Sequence, residues 1–349
     1  FCNGLLGRMK GGTAQVNVLI SLIFSGMTGS AIADASGIGL MEIQQMKKEG
    51  YDAEFSCAIT AASATIGPIF PPSIPMVVYG SAASVSVGTL FTAGVGPGIA
   101  IGLILCIAVF IVAKRRGYTV HKRATMRELF TCIRRSFFAL LLPIIIMGGI
   151  MCGYFTPTEA SCIAITYCII VVCFIYHDMP VKNLLAVVDG TVSGIVPALA
   201  IVSSASLFGW VLQFEHLGEK MYNGITSITN NKWVILLIID VILLFFGMIL
   251  DSTPTIMLLV PIFQPLTTAV GISPIHLGII VVLNLMIGLM TPPYGQSLFM
   301  LSGTTGVSFN KIVKYVMPWL LPMFIALLAI TFIEPITLAI PMMLDFEVF

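Results

Sequence analysis

The sequence predicts an all-α polytopic membrane protein, and three observations carry that prediction. Charged residues make up only 9% of the 349-residue chain and hydrophobic residues 58%, whereas soluble domains carry roughly 25% charged residues. Mean hydropathy is +1.03. Uncharged stretches recur that reach or exceed the roughly 20 apolar residues a bilayer-crossing helix needs. Short strands of alternating polarity are absent, which excludes a transmembrane barrel. A net charge of +1 leaves no basic field for nucleic acid. The eight cysteines form no CxxC pair and read as small core or lipid-facing hydrophobes, not a disulfide framework or zinc site.

Taken in order, an apolar half-helix at Val16–Phe24 stops at a Gly/Ser cluster and returns through Ile32–Met46 to the Lys47–Lys48 pair. Phe55 to Ala113 holds no Asp, Glu, Lys or Arg, which is too long for one helix. Gly67 and the Pro71–Pro72 pair interrupt its first span, and an intact helix follows. Lys114 to Arg135 is the densest basic cluster. Ser136–Thr158, Ala160–His177 and Gly190–Phe214 are each about one span long. A second half-helix, Val234–Phe246, stops at Gly247. The uncharged run Ser252–Asn310 is interrupted at Gly288 and Pro292–Pro293, and Tyr315–Ile333 closes the set. The chain starts FCNGLLGRMK, with neither an initiator Met nor a signal-peptide pattern, so further protein upstream is expected.

Positive charge sets orientation. With the basic loop 114–135 in the cytoplasm and the spans alternating, Lys47, Lys48, Lys182, Lys311 and Lys314 fall on the same side. Arg8 and Lys10 join them if the segment that follows enters and leaves from one face. Of the 17 Lys and Arg residues, only Lys220 and Lys232 are then outside.

An internal repeat emerges at an offset of 221 residues. Phe24, Gly26 and Met27 match Phe245, Gly247 and Met248, and Ile66, Gly67, Pro71 and Pro72 match Ile287, Gly288, Pro292 and Pro293. Three spans separate the copies, so the second enters from the opposite face. The chain is expected to divide into a first repeat (1–113), the basic loop with three connecting spans (114–231) and an inverted second repeat (232–349). Each repeat reads as a re-entrant helical hairpin, a broken transmembrane helix and an intact span. Gly and Pro free backbone groups that are tolerated at membrane depth only when buried in protein or lining a cavity. Inverted repeats with broken helices are the architecture of secondary transporters.

Ionisable residues inside a bilayer point to function. Asp34 and Asp251 sit on the returning sides of the hairpin tips, among Ser25, Thr28, Ser30, Ser252, Thr253 and Thr255. Such oxygen-rich tips suit a hard monovalent cation or a co-bound substrate, and the same Asp and Ser residues suit helix capping. No Lys or Arg lies at either break, so a bound carboxylate would meet helix N-termini and hydroxyls. Asp240, Glu159 and Asp189 read as structural or interfacial. His121, His177, His216 and His276 fall in loops or at span edges and are expected to be solvated. The chain lacks GxxxxGK[ST], HExxH, GxGD and GxSxG, which argues against an ATP-driven pump and an embedded enzyme. A channel fits two non-identical inverted hairpins poorly.

SGMTGSAIADASGIG, ATIGPIFPPSIPMVVYG, FGMILDSTPT and LMIGLMTPPYGQSLF, in this order along nearly the whole chain, resemble the large membrane subunit of TRAP (tripartite ATP-independent periplasmic) transporters, the DctM-like family. The resemblance implies an elevator-type fold and sodium-coupled import of a small organic acid across the bacterial inner membrane. A C4-dicarboxylate, sialic acid or another sugar acid would be the substrate. It implies a periplasmic substrate-binding protein (DctP-like) and a small membrane subunit (DctQ-like) as partners, with sodium as coupling ion and no other cofactor. It places one sodium site at Ser25, Thr28, Gly67, Phe70 and Pro72. A second falls at Gly247, Gly288, Thr291 and Tyr294, and substrate sits near Ser30, Asp34, Asp251 and Thr253. Members of the family carry further helices before the first hairpin. A stand-alone sodium/organic-anion symporter is the nearest alternative, and an ion channel a more distant one.

Overall fold

A computed structural model describes residues 11–116, 126–229 and 231–348. All regular structure among them is helical. Four of the helices are long and apolar enough to cross a membrane: Val87–Arg116, Pro157–Ile175, Lys232–Ile249 and Phe309–Phe332. The protein is a membrane-embedded helical bundle.

The first hairpin starts with α1 (Gly12–Thr28) and returns through α2 (Ala31–Ser36) and α3 (Ile38–Lys48), which meet in a kink at Gly37. The Ser30 hydroxyl accepts from the Ala33 N–H at 3.4 Å and starts α2. Next come α4 (Ala53–Ala64), an irregular stretch, and α5 (Ile74–Ala83). Ser73 caps α5 by accepting from the Met76 N–H at 3.2 Å, and Pro75 sits in the first turn, where a missing N–H does no harm. The long α6 (Val87–Arg116) follows.

The middle of the chain supplies α7 (Met126–Met151), α8 (Pro157–Ile169, continued by a π-helical turn Ile170–Ile175), α9 (Leu184–Phe214) and α10 (Leu217–Ile228). A capping box between Thr156 and Glu159 starts α8. Helix α9 packs against the returning limb of the second hairpin and exposes Leu185, Leu199, Leu207, Trp210 and Phe214. In water such a face would be a liability; in a bilayer it is the surface that lipid or another membrane chain covers.

The second hairpin is α11 (Lys232–Ile249) and α12 (Ser252–Ala269). The second interrupted span is α13 (Pro274–Leu289) and α14 (Gln296–Thr305), and α15 (Phe309–Phe332) and α16 (Pro335–Met343) complete the bundle. Adding 221 to the starts of α2, α4, α5 and α6 gives 252, 274, 295 and 308, each within one residue of the starts of α12, α13, α14 and α15. Both Pro71–Pro72 and Pro292–Pro293 are cis.

The core lies along the two interrupted spans. Every residue of α13 from Ile275 to Leu289 is buried, enclosed by α11, α12, α6 and α15. In α4 the same holds from Phe55 to Ala64, packed by α1, α3 and α15. Buried polar side chains there find one another, as they must in a medium without water. Asn17 donates to Thr60 at 2.9 Å and accepts from Ser63 at 2.6 Å. In the second half, Asp240 accepts from Asn284 at 2.7 Å and from Thr331 at 3.1 Å.

One expectation needs correction here. His276 is not solvated but fully buried, with Nδ1 at 2.7 Å from the Thr337 hydroxyl and Nε2 at 3.2 Å from the Thr331 carbonyl. Those partners lie 55 and 61 residues further along, so no local pattern could signal them. His177 and His216 are exposed. His121, Arg8, Lys10 and most of the basic cluster between Lys114 and Arg135 lie outside the residues whose side chains are described.

Candidate functional site

The turn after α1 touches the irregular stretch between α4 and α5, and the end of α11 touches the end of α13. At the first turn, Gly29 takes a φ of +60°, and a Cβ there would stand 2.8 Å from the Pro72 carbonyl oxygen. The close approach allows the Ile74 N–H to donate to the Gly29 carbonyl at 3.2 Å, a backbone bond between the hairpin tip and the resumption of the broken span. Glycine is needed at this position for both conformation and space.

The residues expected to form the first cation site separate into those the structure draws together and those it does not. Thr28 donates its hydroxyl to one oxygen of the buried Asp34 carboxylate. The other oxygen, Oδ2, lies where a Gly67 side chain would begin. Pro72 faces the tip through its carbonyl, as above. Phe70 points elsewhere, wedged against Gly98 of α6 with its Cβ 2.9 Å from the place a Gly98 Cβ would occupy. Ser25 lies in the last turns of α1, and its side chain is outside the described residues.

At the second break the contact is backbone to backbone. A Cβ on Gly288 would stand 2.7 Å from both the Cα and the carbonyl oxygen of Gly247. Thr291 stays next to them, its N–H donating to the Gly288 carbonyl at 2.9 Å and its hydroxyl to the Ile287 carbonyl at 2.6 Å. The Tyr294 side chain turns outward, 51% exposed, against Phe299 at a ring separation of 5.3 Å.

Between the tips lies a cavity of about 190 Å³, lined among others by Ser30, Ile74, Pro75, Asp251, Ser252 and Thr253. Three of the four residues expected at the substrate are therefore together; Asp34 is not among the lining residues, because its carboxylate faces Thr28 and Gly67. The first turns of α2, α5 and α12 all border this space. Helix N-termini present partial positive charge and unpaired N–H groups, so the 18-residue α12 and the 10-residue α5 aim the attractive ends of their dipoles at the same place, with the 6-residue α2 beside them. Asp251 caps α12, its Oδ1 accepting from the Ser252 N–H at 2.6 Å. Asp251 is the single charged residue of the lining, and the described lining holds no Lys or Arg. The contribution of α5 was missed in the sequence, although Ser73 followed two residues later by Pro75 is a readable helix start.

Residues 1–336 match the family described as Tripartite ATP-independent periplasmic transporter, DctM component. The chain belongs to that family. The large permease protein of a sialic acid TRAP transporter from Vibrio cholerae is 38% identical over 341 residues, 98% of this chain and 80% of that protein. The large permease protein of a C4-dicarboxylate TRAP transporter from Pseudomonas aeruginosa is 37% identical over 341 residues, again 98% and 80%. The large permease protein of a 2,3-diketo-L-gulonate TRAP transporter from Escherichia coli is 32% identical over 329 residues, 94% of this chain and 77% of that protein. This TRAP permease thus has relatives named as transporters, not enzymes.

Proposed function

We propose that this TRAP permease imports a small organic acid across the bacterial inner membrane, coupled to sodium, by an elevator motion. The observation that carries the reading is the cavity between the hairpin tips, bordered by three helix N-termini and holding Asp251 but no Lys or Arg among its described lining residues. A carboxylate held there is attracted by dipoles and hydroxyls rather than by a fixed cation, so co-bound sodium supplies the missing positive charge. Sialic acid, a C4-dicarboxylate or another sugar acid fits this chemistry, as the names of the relatives suggest for those proteins. Sodium is taken at the two junctions of hairpin and break: Ser25, Thr28, Gly67, Phe70 and Pro72 at one, Gly247, Gly288, Thr291 and Tyr294 at the other, the outward residues contributing through main-chain carbonyls.

The matching starts of four helices at an offset of 221 residues support two repeats, 1–113 and 232–349, and the three spans between them make those repeats inverted. The hairpins and breaks form the moving body. Helices α7 and α8 belong to the part it slides against, and a crevice of about 280 Å³ already separates Ile146, Ile150, Ser161 and Ile165 from Thr28, Gly29 and Ile74. The basic loop 114–135 faces the cytoplasm. A periplasmic binding protein delivers the substrate and a small membrane subunit braces the stationary part.

Uptake into proteoliposomes holding the full-length permease and its small subunit tests this. Labelled organic acids are supplied with and without the binding protein and an inward sodium gradient. Accumulation only when both are present is expected. Accumulation with sodium alone identifies a stand-alone symporter, and accumulation independent of sodium overturns the coupling.

A further inference from the structure

The first turn of α4, the last turn of α6 and the early turns of α15 border a cavity of about 410 Å³. Its lining includes three cations, Arg115, Arg116 and Lys314, and three aromatic rings, Phe55, Tyr315 and Trp319. No Asp or Glu is among the described lining residues. The tip cavity has the opposite character, with one carboxylate and no cation.

The three cations differ in what they already hold. Arg116 donates to Asp52 at 2.7 Å and lies over the rings of Phe55 and Tyr315, 5.4 and 5.0 Å from their centres. Its charge is balanced, and it ties α6 to α4 and α15. Lys311, one turn before Lys314, is balanced by Glu54 at 3.5 Å. Arg115 and Lys314 belong to no ion pair among the described residues. Arg115 is in the last turn of α6, where the helix dipole favours a cation, but Lys314 lies near the start of α15, where it does not. Two uncompensated positive charges therefore line one cavity beside a wall of aromatic rings, and an anion is what they fit.

The surfaces that lead away from the cavity say which anion. Ile107 and Ile111 precede Arg115 by eight and four residues on α6, and Met317 and Leu321 follow Lys314 by three and seven on α15. These spacings keep each pair on the face of its cation. All four side chains are exposed, and both helices are long and apolar enough to cross a membrane. Aromatic rings and basic residues at the end of such a helix mark the level of the lipid headgroups. A free anion would meet only the charged half of this arrangement; a phospholipid meets both.

We propose that this cavity binds the headgroup of an anionic phospholipid, its phosphate held by Arg115 and Lys314 and its acyl chains laid along Ile107, Ile111, Met317 and Leu321. The lipid bridges the first broken span and the intact span of each repeat, α6 and α15. The site depends neither on which acid is carried nor on the coupling ion. With the basic loop in the cytoplasm, the lipid belongs to the cytoplasmic leaflet, whose anionic lipids attract basic side chains.

The test uses the purified full-length permease with its small subunit, stripped of lipid in a neutral detergent. Dioleoylphosphatidylglycerol and dioleoylphosphatidylcholine are titrated separately, bound lipid is counted by native mass spectrometry and the unfolding midpoint is followed. Wild type should retain phosphatidylglycerol and be stabilised by it, as any protein is by a ligand of its native state. An equal response to phosphatidylcholine overturns the proposal. In Arg115→Gln combined with Lys314→Gln, the half-saturating phosphatidylglycerol should rise about tenfold or more, since two charged contacts are lost. The midpoint without lipid should not change, because no ion pair is broken. Lys47→Gln combined with Lys48→Gln, at the end of α3 and outside the cavity, should bind as wild type does. An equal loss in that pair, or none in the 115 and 314 pair, overturns the proposal. Stabilisation by inorganic phosphate equal to that by phosphatidylglycerol overturns the lipid as occupant. On unmutated protein, a phosphatidylglycerol with a photoreactive headgroup should label peptides spanning 112–116 and 314–319. Labelling spread alike over the other basic helix ends overturns the assignment.

Discussion

At Gly288 the backbone of the second broken span lies so close to the backbone of Gly247 that a methyl group has no room. Neither partner can yield as the end of a flexible side chain would, so the strain falls on the junction itself. Gly288→Ala should lose most sodium-driven uptake and Gly288→Val all of it, with about 1–3 kcal/mol of overpacking and the protein still inserted. Gly303→Ala in α14, where a Cβ meets nothing within 4 Å, should transport normally. Equal uptake by the 288 and 303 variants would remove the close approach from the mechanism. The importance of Gly67 and Gly288 was legible in the sequence, because both stand four residues before a Pro-Pro pair. Side-chain direction was not. Asp34 groups with Ser30 by its place after the tip, yet its carboxylate lies against Thr28 and Gly67. Tyr294 follows the second Pro-Pro pair and still points outward.

Helix α12 depends on the residue just before it. Asp251 caps it through the Ser252 N–H and, through its main-chain carbonyl, accepts from the Thr255 hydroxyl at 2.7 Å. Asp251→Ala should lower stability by about 1 kcal/mol, read as a lower unfolding midpoint, and should raise the sodium concentration for half-maximal uptake. Asp251→Asn keeps a capping oxygen and should restore the midpoint. Asp189→Ala, on an exposed stretch of α9, should move neither quantity; an equal effect at 189 would mean that Asp251 has been misplaced. Elements were readable wherever charge or composition marks an end. The runs free of charge mark the C-terminal ends of α6, α9 and α15 within about three residues, whereas α9 and α15 each begin some six residues before the run does. The kink at Gly37 and the separate helix α10 were not foreseen, since a short amphipathic stretch between spans has no length signal of its own.

At the scale of the molecule, the proposed sliding of hairpins past α7 and α8 has a direct consequence for chemistry across the crevice that separates them. Ile74 at the start of α5 and Ile165 of α8 both line it. In a background with the eight native cysteines replaced, Ile74→Cys combined with Ile165→Cys should form a disulfide under oxidation and arrest uptake, and a reductant should restore it. Full uptake by the cross-linked protein would refute relative motion of these two parts. The contacts of core helices across the halves, such as α2 with α14 and α5 with α12, are not legible from the offset of 221 residues, which relates positions in the two halves without saying which of them touch. Nor is the buried cluster of Asp240, Asn284, Thr331 and His276, because its members are brought together only by tertiary packing.

The lack of Lys and Arg among the described lining residues of the tip cavity also bears on where the membrane potential acts in the proposed cycle. A charge carried across 100 mV is worth about 2.3 kcal/mol. The loaded and the empty passage then differ by the charge of the acid and the sodium ions bound with it, so an inside-negative voltage favours net import once the charge of those ions exceeds that of the acid.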